Sequence, residues 1–320
     1  MKTTMNIVCA TDDNYVPLCG IMLTSLFENN KDCHIDTYII TSDLNKKNKS
    51  QLEALSTSKT GYDTTIHFCE TSEQTFKNCP IRKGDHVSLA AYYRLLTPLI
   101  LPTHVEKVLY LDCDIIITDS LYQLYNTDIS DVSLAACAEH DGEIGKLQVS
   151  ESHITRLGYP IKWGYFNSGV LLINLSYWRK NNISNTLIDY ISNNKEKCLL
   201  HDQDALNAVL GGQKKFIPYK YNFMTYLFTP GYATYNKDVF LEERPAIIHY
   251  CTPTKPWDWY LYDYPFSKQR EHYRTISPWK NWENNMPMKK KLIRKFLSWK
   301  NKLIKKELSV YDNSWKKWEP

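Results

Sequence analysis

Three short apolar runs, Asn6–Ala10, His34–Thr41 and Thr64–Cys69, open the chain, and a helical stretch separates each from the next. The first run stops at the polar loop Thr11-Asp12-Asp13-Asn14-Tyr15 and is followed by a helix over Ile21–Glu28. The second ends in Ser42-Asp43 and leads into a helix over Asn45–Ser56, with Leu52 and Leu55 on one face. Strand, loop, helix, strand is the order of a doubly wound unit, so the pattern predicts a mostly parallel, Rossmann-like sheet flanked by helices. Further along, Leu89–Leu101 reads as helical. Lys107–Thr118 (KVLYLDCDIIIT) reads as one apolar strand interrupted by two carboxylates. A helix is expected near Ile183–Asn193, and another begins at Asp202-Gln203-Asp204. Ala246–His249 is a last apolar strand before a proline-rich loop ending at Trp257. At 320 residues the chain is long enough for one large α/β domain. We place that domain at 1–275 and a separate basic aromatic tail at 276–320.

Composition narrows the functional classes. Nine cysteines, an odd number without a CxxC pair, argue for a reducing compartment and against a disulfide framework or a zinc site. Cys9, Cys113 and Cys137 sit inside apolar runs, where a free thiol behaves as a small hydrophobe. The apolar stretch Met5–Ala10 ends at once in Asp12-Asp13, unlike a signal peptide, and no run of about 18 apolar residues is present. A cytoplasmic protein is expected. The net charge of +4 is uneven: from Lys280 onward twelve Lys/Arg stand against four Asp/Glu, which leaves the first 279 residues at −4. Such a body is a poor nucleic-acid surface, and no nucleic-acid partner is expected. Leu292, Ile293, Phe296, Leu297, Leu303, Ile304 and Leu308 fall at helical spacing among lysines and arginines. With Trp299, Trp315 and Trp318, they suggest a helical tail lying on an anionic membrane surface, on the inner face of the cytoplasmic membrane. The alternative is a helix packed on the body with its charges solvated.

Asp112 and Asp114 carry the chemistry most plainly. Two apart in an extended chain, they point to one side, and at the carboxyl end of a parallel strand that side faces the ligand crevice. Carboxylate oxygens suit Mg²⁺ or Mn²⁺, ions that also bridge phosphates. Taken alone, the pair is equally consistent with two surface aspartates opening a loop. His249, at the end of the last strand, is either a third ligand or a hydrogen-bonded structural residue. Lys255, in the proline-stiffened loop, is either a fixed cation for a departing diphosphate or an ordinary solvated lysine.

Six segments in this order resemble glycosyltransferase family 8, including its bacterial lipooligosaccharide α-galactosyltransferases, over roughly residues 5–260. They are Ala10-Thr11-Asp12-Asp13-Asn14-Tyr15, Tyr93-Arg94-Leu95, YLDCD at 110–114, FNSGVLLINL at 166–175, DQDALN at 202–207 and HYCTPTKPW at 249–257. The resemblance implies a GT-A fold and retaining transfer of galactose or glucose from a UDP-sugar, with Mn²⁺ or Mg²⁺, to a glycan or glycolipid acceptor. By position it assigns Ala10, Asp12, Asn14 and Tyr15 to uracil and ribose, Arg94 to the donor sugar, and Asp112, Asp114 and His249 to the metal. Cys113 falls within the donor-binding segment, Asn167, Asp202 and Gln203 surround the sugar, and Lys255 meets the diphosphate. Gln203, Asp202 and Lys255 are the expected catalytic residues.

One departure stands out: Thr252 occupies a position where the family usually has glycine. Glycine permits close backbone approach to phosphate, and a β-branched residue does not, although the Thr252 hydroxyl can donate to phosphate instead. Because Gln203 is an amide and a poor nucleophile, we expect front-face attack guided by the leaving diphosphate over double displacement. Three other readings compete: a sugar nucleotidyltransferase, a catalytically impaired relative that binds UDP-sugar, and a nucleic-acid-binding protein. The acidic first loop, Thr11–Asn14, argues against a nucleotidyltransferase because it would repel a triphosphate.

Overall fold

A computed structural model describes residues 2–56, 61–77, 79–80, 89–139, 151–228, 243–251, 255–257, 264–282, 292, 296 and 314–318. Strands β1 (Thr4–Ala10), β2 (His34–Thr41) and β3 (Thr64–Glu70) alternate with helices α1 (Val16–Glu28) and α2 (Lys46–Glu53). Pro17 sits in the first turn of α1, where its missing N–H costs nothing. The Asn45 side chain caps α2 by accepting from Asn48 N at 3.0 Å. A 3₁₀ segment, Leu89–Leu96, runs into the short α3 (Thr97–Ile100). Then follow β4 (Lys107–Leu111), β5 (Ile115–Ile117), α4 (Tyr122–Tyr125), β6 (Leu134–Ala138), α5 (Glu151–Leu157) and β7 (Phe166–Asn174). Helices α6 (Leu175–Lys180), α7 (Ile183–Asn193) and α8 (His201–Leu210) lead to β8 (Lys214–Phe216), β9 (Phe223–Met224), β10 (Ile247–His249) and α9 (Ser267–Ile276).

The main sheet has seven strands in the order β3-β2-β1-β4-β7-β6-β8. All its pairings are parallel except those of β7, which runs antiparallel to β4 and to β6. Its two faces carry separate apolar cores. One is packed by α1, with Ile21, Leu23 and Leu26; the other by α7, α8 and the 3₁₀ segment, with Tyr92, Leu187 and Leu206. The α/β sheet flanked by helices is thus as the β-α-β rhythm predicts, in mixed form.

Residues 107–118 depart from the single expected strand. The chain leaves the main sheet after Leu111 and re-enters structure as β5, in a second sheet of order β5-β10-β9. Between the two, Asp112 still adds a rung to the main sheet by donating its N–H to Gly169 O at 2.9 Å, and Cys113-Asp114 form a turn. The apolar run Ile115–Ile117 hid this break because β5 is as buried as β4. Asp112 and Asp114 therefore converge through a turn, not through strand alternation.

Trp315 and Trp318 also differ from expectation. Neither waits at a membrane surface. Trp315 is 2% exposed with its ring 5.5 Å from Phe266, and Trp318 stacks on Phe266 and meets Phe223 edge-on. Trp279 is likewise buried, seated over Gly20 of α1, where even a Cβ would come within 1.9 Å of the indole. Indole burial in an apolar core and indole placement at a lipid interface draw on the same amphipathic chemistry, so composition alone does not separate them. Trp299 lies outside the described residues. Leu292 and Phe296 are helical and exposed, at 62% and 58%.

Candidate active site

The carboxyl ends of β1 and β4 lie side by side, and the turn after β4 projects Asp112 and Asp114 beyond them. Strand β10 pairs with β5 so that His249 lies opposite Ile115, which brings its ring to the same turn. One donor atom each from Asp112, Asp114 and His249 lies within 4.8 Å of the others. His249 Nε2 is 3.3 Å from Asp114 Oδ1 and 4.0 Å from Asp112 Oδ2. Its other nitrogen, Nδ1, is 2.8 Å from Asn222 Oδ1, and Asn222 Nδ2 donates to Asn167 Oδ1 at 2.8 Å. That pattern makes Asn222 Oδ1 the acceptor and puts a proton on Nδ1, which leaves Nε2 as the nitrogen that can offer a lone pair to an ion held between the two carboxylates. Three electron-rich donors turned on one point, two oxygens and one nitrogen, suit a divalent ion such as Mn²⁺.

Lys255 already brings positive charge there. Its ammonium donates to Asp114 Oδ2 at 2.6 Å and to Tyr250 O at 2.5 Å. Burial pushes the Asp114 carboxyl up, but Lys255 and His249 outweigh it and hold the group well below the usual carboxylate range. Burial pushes the Lys255 ammonium down, and Asp114 more than offsets that.

Arg94 anchors the opposite side. Its Nη2 donates to Asp112 Oδ1 at 2.9 Å, its Nη1 to Ser168 O at 2.5 Å, and its guanidinium lies over the Tyr110 ring at 4.3 Å. Tyr110 also donates to Asp112 Oδ1, at 2.8 Å. Arg94 Nε lies 3.0 Å from Asp202 Oδ2, but its N–H is aimed at Ala91 O. Asp202 Oδ2 is thus a buried carboxylate oxygen in charge contact with Arg94 and without a hydrogen bond. Burial raises the Asp202 carboxyl above its ordinary value despite that neighbour.

Gln203 and Asn167 meet through Glu139. Gln203 Oε1 accepts from Ser168 N at 2.9 Å, and its Nε2 faces Glu139 Oε2 at 3.5 Å. Asn167 Nδ2 donates to the same oxygen at 2.8 Å. Burial pushes the Glu139 carboxyl up. The chain Gln203–Glu139–Asn167–Asn222–His249 therefore links the expected sugar-binding residues to the metal-binding ones. Asp204 is turned away: Tyr165 and His153 each lie 2.6 Å from its Oδ1, and Leu200 N donates to Oδ2.

In the first loop, Asp12 Oδ1 accepts from Asn14 N at 2.9 Å and Tyr15 N at 3.1 Å, shaping the turn into α1. Asn14 is exposed and Tyr15 half-buried. Cys113 points inward, its thiol donating to Ala10 O at 3.2 Å, so any donor contact it makes runs through its backbone. Thr252 lies outside the described residues.

Glu139 and Asn222 are not among the expected site residues, and Ser168 and Gly169 stand in the segment FNSGVLLINL without a role. Glu139 is one of several polar residues that follow β6, beside His140 and Asp141, and Asn222 stands among aromatic residues, so only the fold singles them out. Gly169 makes room: a Cβ there would fall 2.3 Å from His249 Cε1 and 2.9 Å from Asp112 Oδ2. A Gly169→Ala variant is expected to displace the imidazole. Its apparent Mn²⁺ affinity should fall by about 10- to 100-fold, read from the Mn²⁺ dependence of UDP release, with little change in melting temperature at zero metal. An unchanged Mn²⁺ dependence would remove Gly169 from the site.

A model of glycosyl transferase family 8 matches residues 6–259. General stress protein A of Bacillus subtilis (strain 168) is 32% identical over 287 residues, covering 86% of this chain and 94% of its own length. A lipopolysaccharide 1,2-glucosyltransferase of Escherichia coli is 30% identical over 286 residues, covering 88% of this chain and 80% of its own. Among solved structures, the galactosyltransferase LgtC in complex with donor and acceptor sugar analogs aligns with a TM-score of 0.72 at 26% identity, over 89% of this chain and 98% of that one.

Proposed function

The chain belongs to glycosyltransferase family 8, and on that premise we propose that it transfers galactose or glucose from a UDP-sugar, with retention, to a glycan or glycolipid acceptor. The observation that carries this reading is the convergence of Asp112, Asp114 and His249 Nε2 beside the Lys255 ammonium. Such a cluster would suit a divalent ion together with the diphosphate whose charge it neutralises. UDP release with UDP-galactose or UDP-glucose and Mn²⁺, compared with the same reaction in EDTA, tests it. No UDP release from either donor, or equal release in EDTA, would overturn it.

Asp112, Asp114 and His249 would hold Mn²⁺ or Mg²⁺, which supplies positive charge to the diphosphate as it leaves. Lys255 adds a second cation, moving from Asp114 to the phosphate. Asp202 Oδ2, buried and without a hydrogen bond, accepts from a donor-sugar hydroxyl. Arg94 keeps Asp112 and Asp202 at fixed separation. The Gln203 side chain lies under the sugar with its Oε1 already tied to Ser168, so it orients and does not attack. As the bond from the anomeric carbon to the β-phosphate oxygen breaks, the acceptor oxygen bonds to that carbon from the same face. The acceptor's proton passes to the departing phosphate oxygen, giving UDP and the new glycoside. Trapping a sugar on Asp202 or Asp204 by mass spectrometry would replace front-face attack with double displacement. The clamped carboxylate of Asp204 speaks against it as the nucleophile.

For the acceptor we favour a membrane-borne glycan in cell-surface polysaccharide or lipopolysaccharide synthesis, reached from the cytoplasmic face. The relative from Escherichia coli acts on lipopolysaccharide, and Leu292 and Phe296 expose apolar surface in a basic segment. No helix among the described residues is long and apolar enough to cross a membrane, so attachment would be peripheral. Replacing both Leu292 and Phe296 by Ser should reduce sedimentation with anionic vesicles about tenfold or more, since each buried side chain contributes roughly 1.5–3 kcal/mol. Equal sedimentation would exclude this segment as the anchor. Truncation at Pro287 is the poorer test, because it also removes Trp315 and Trp318 from the body.

A further inference from the structure

Three buried thiols meet directly behind the metal-binding turn. Cys9 is the penultimate residue of β1, Cys19 lies on the inner face of α1, and Cys113 sits between Asp112 and Asp114. Their sulfurs all lie within 4.8 Å of one another, with Cys9 and Cys19 at 3.7 Å. A hydrophobic core needs no such grouping; three separate thiols would fill space as well.

We propose that Cys9, Cys19 and Cys113 form a binding site for a soft, three-coordinate centre, and that trivalent arsenic, as arsenite, is the ligand class that fits it. Sulfurs bonded at about 2.3 Å to the apex of a trigonal pyramid, the shape the lone pair of trivalent arsenic imposes, stand roughly 3.5 Å apart, and Cys9 and Cys19 are already at 3.7 Å. Zinc prefers a fourth ligand, and the described residues place only three thiols in this group. A three-thiolate copper(I) or zinc complex would also leave uncompensated negative charge in a buried pocket, at high cost. Trivalent arsenic with three thiolates is neutral. The reaction is a condensation without change of oxidation state: three As–O and three S–H bonds break, three As–S bonds form, and three water molecules leave. Entry runs past Cys113, the one residue of the three that retains any exposure.

Occupancy has a consequence for the neighbouring site. Cys113 now donates to Ala10 O at 3.2 Å. Binding removes that proton and draws the thiol toward α1, which pulls on the turn carrying Asp112 and Asp114. Metal and donor affinity should fall together. This second step rests on the proposed sugar transfer; the binding step does not.

The test uses the full chain, reduced with a thiol-free phosphine and exposed to arsenite. Native mass spectrometry is expected to show one tightly held arsenic per chain, and X-ray absorption at the arsenic edge to show three sulfur neighbours. Cys19→Ala should lose that signature while releasing UDP at the wild-type rate, and arsenite should raise the donor KM about tenfold in wild type only. Fewer than three sulfur neighbours in the wild type, or three retained in Cys19→Ala, would overturn the proposal. Should Cys19→Ala fold poorly, Cys9→Ser and the wild-type spectrum decide between the same two outcomes. A three-sulfur signature with no UDP release under any condition would instead overturn the sugar-transfer reading and leave the thiol site standing.

Discussion

Replacing Asp112 or Asp114 by Asn is expected to lower UDP release by about a thousandfold or more, roughly 4 kcal/mol of transition-state stabilisation. Asn keeps the volume and one oxygen but removes the charge. At Asp112 the loss falls on a group that also receives Arg94 and Tyr110, so donor geometry should suffer beyond metal affinity. At Asp114 it strands the Lys255 ammonium, which is buried against that carboxylate. Circular dichroism shows whether either variant is folded, and activity within a few-fold of wild type would sink the assignment. The Asp114 variant carries a pH signature as well. Because the folded-state carboxyl is held below its ordinary value, its stabilisation is present above about pH 4 and is lost as pH falls further. The stability gap between wild type and Asp114→Asn should therefore narrow in acid and stay constant at neutral pH.

Arg94→Met is expected to cost about 3–5 kcal/mol of folding stability, because it leaves Asp112 and Asp202 facing each other without their shared cation. For a domain of this size that is a fall in melting temperature of roughly 10 °C. Methionine keeps the aliphatic stem and removes only the guanidinium that lies over Tyr110, so the effect reports the lost cation and its bonds more than lost volume. Adding Asp202→Asn to Arg94→Met should restore part of the stability and none of the activity, since it removes one uncompensated carboxylate without rebuilding the sugar contact. A melting temperature unchanged in Arg94→Met would mean that solvent already screens the pair.

The grouping of Asp112, Asp114, His249 and Lys255 was legible because each stands in a short segment whose neighbours announce it. The aspartates interrupt an apolar strand, and the histidine ends another just before a proline-stiffened loop. Glu139 also follows an apolar strand, but the polar run His140-Asp141 behind it leaves it unmarked, and Asn222 has no such frame. Their value comes from lying on opposite sides of Asn167, which depends on β7 running antiparallel between β4 and β6, and nothing local encodes that reversal. The break after Leu111 was hidden because both flanking strands are equally buried. The three thiols, taken one at a time, look like core filler; Cys19 in α1 and Cys113 after β4 become neighbours only when β1 and β4 pair.

Trp279 over Gly20 and Trp315 against Phe266 bear on how the protein is made. Helix α1 is translated long before Trp279 and Tyr273, which pack on it. The bond from Asn29 to Tyr273, 244 positions apart, belongs to the same late closure. Until then the nascent chain carries an apolar helix without these contacts, a state that invites chaperone binding and aggregation. Contacts at such separation also slow folding. Expression yield should therefore respond more sharply to changes at Trp279 than to equally conservative changes within the seven-stranded sheet's outer strand β3.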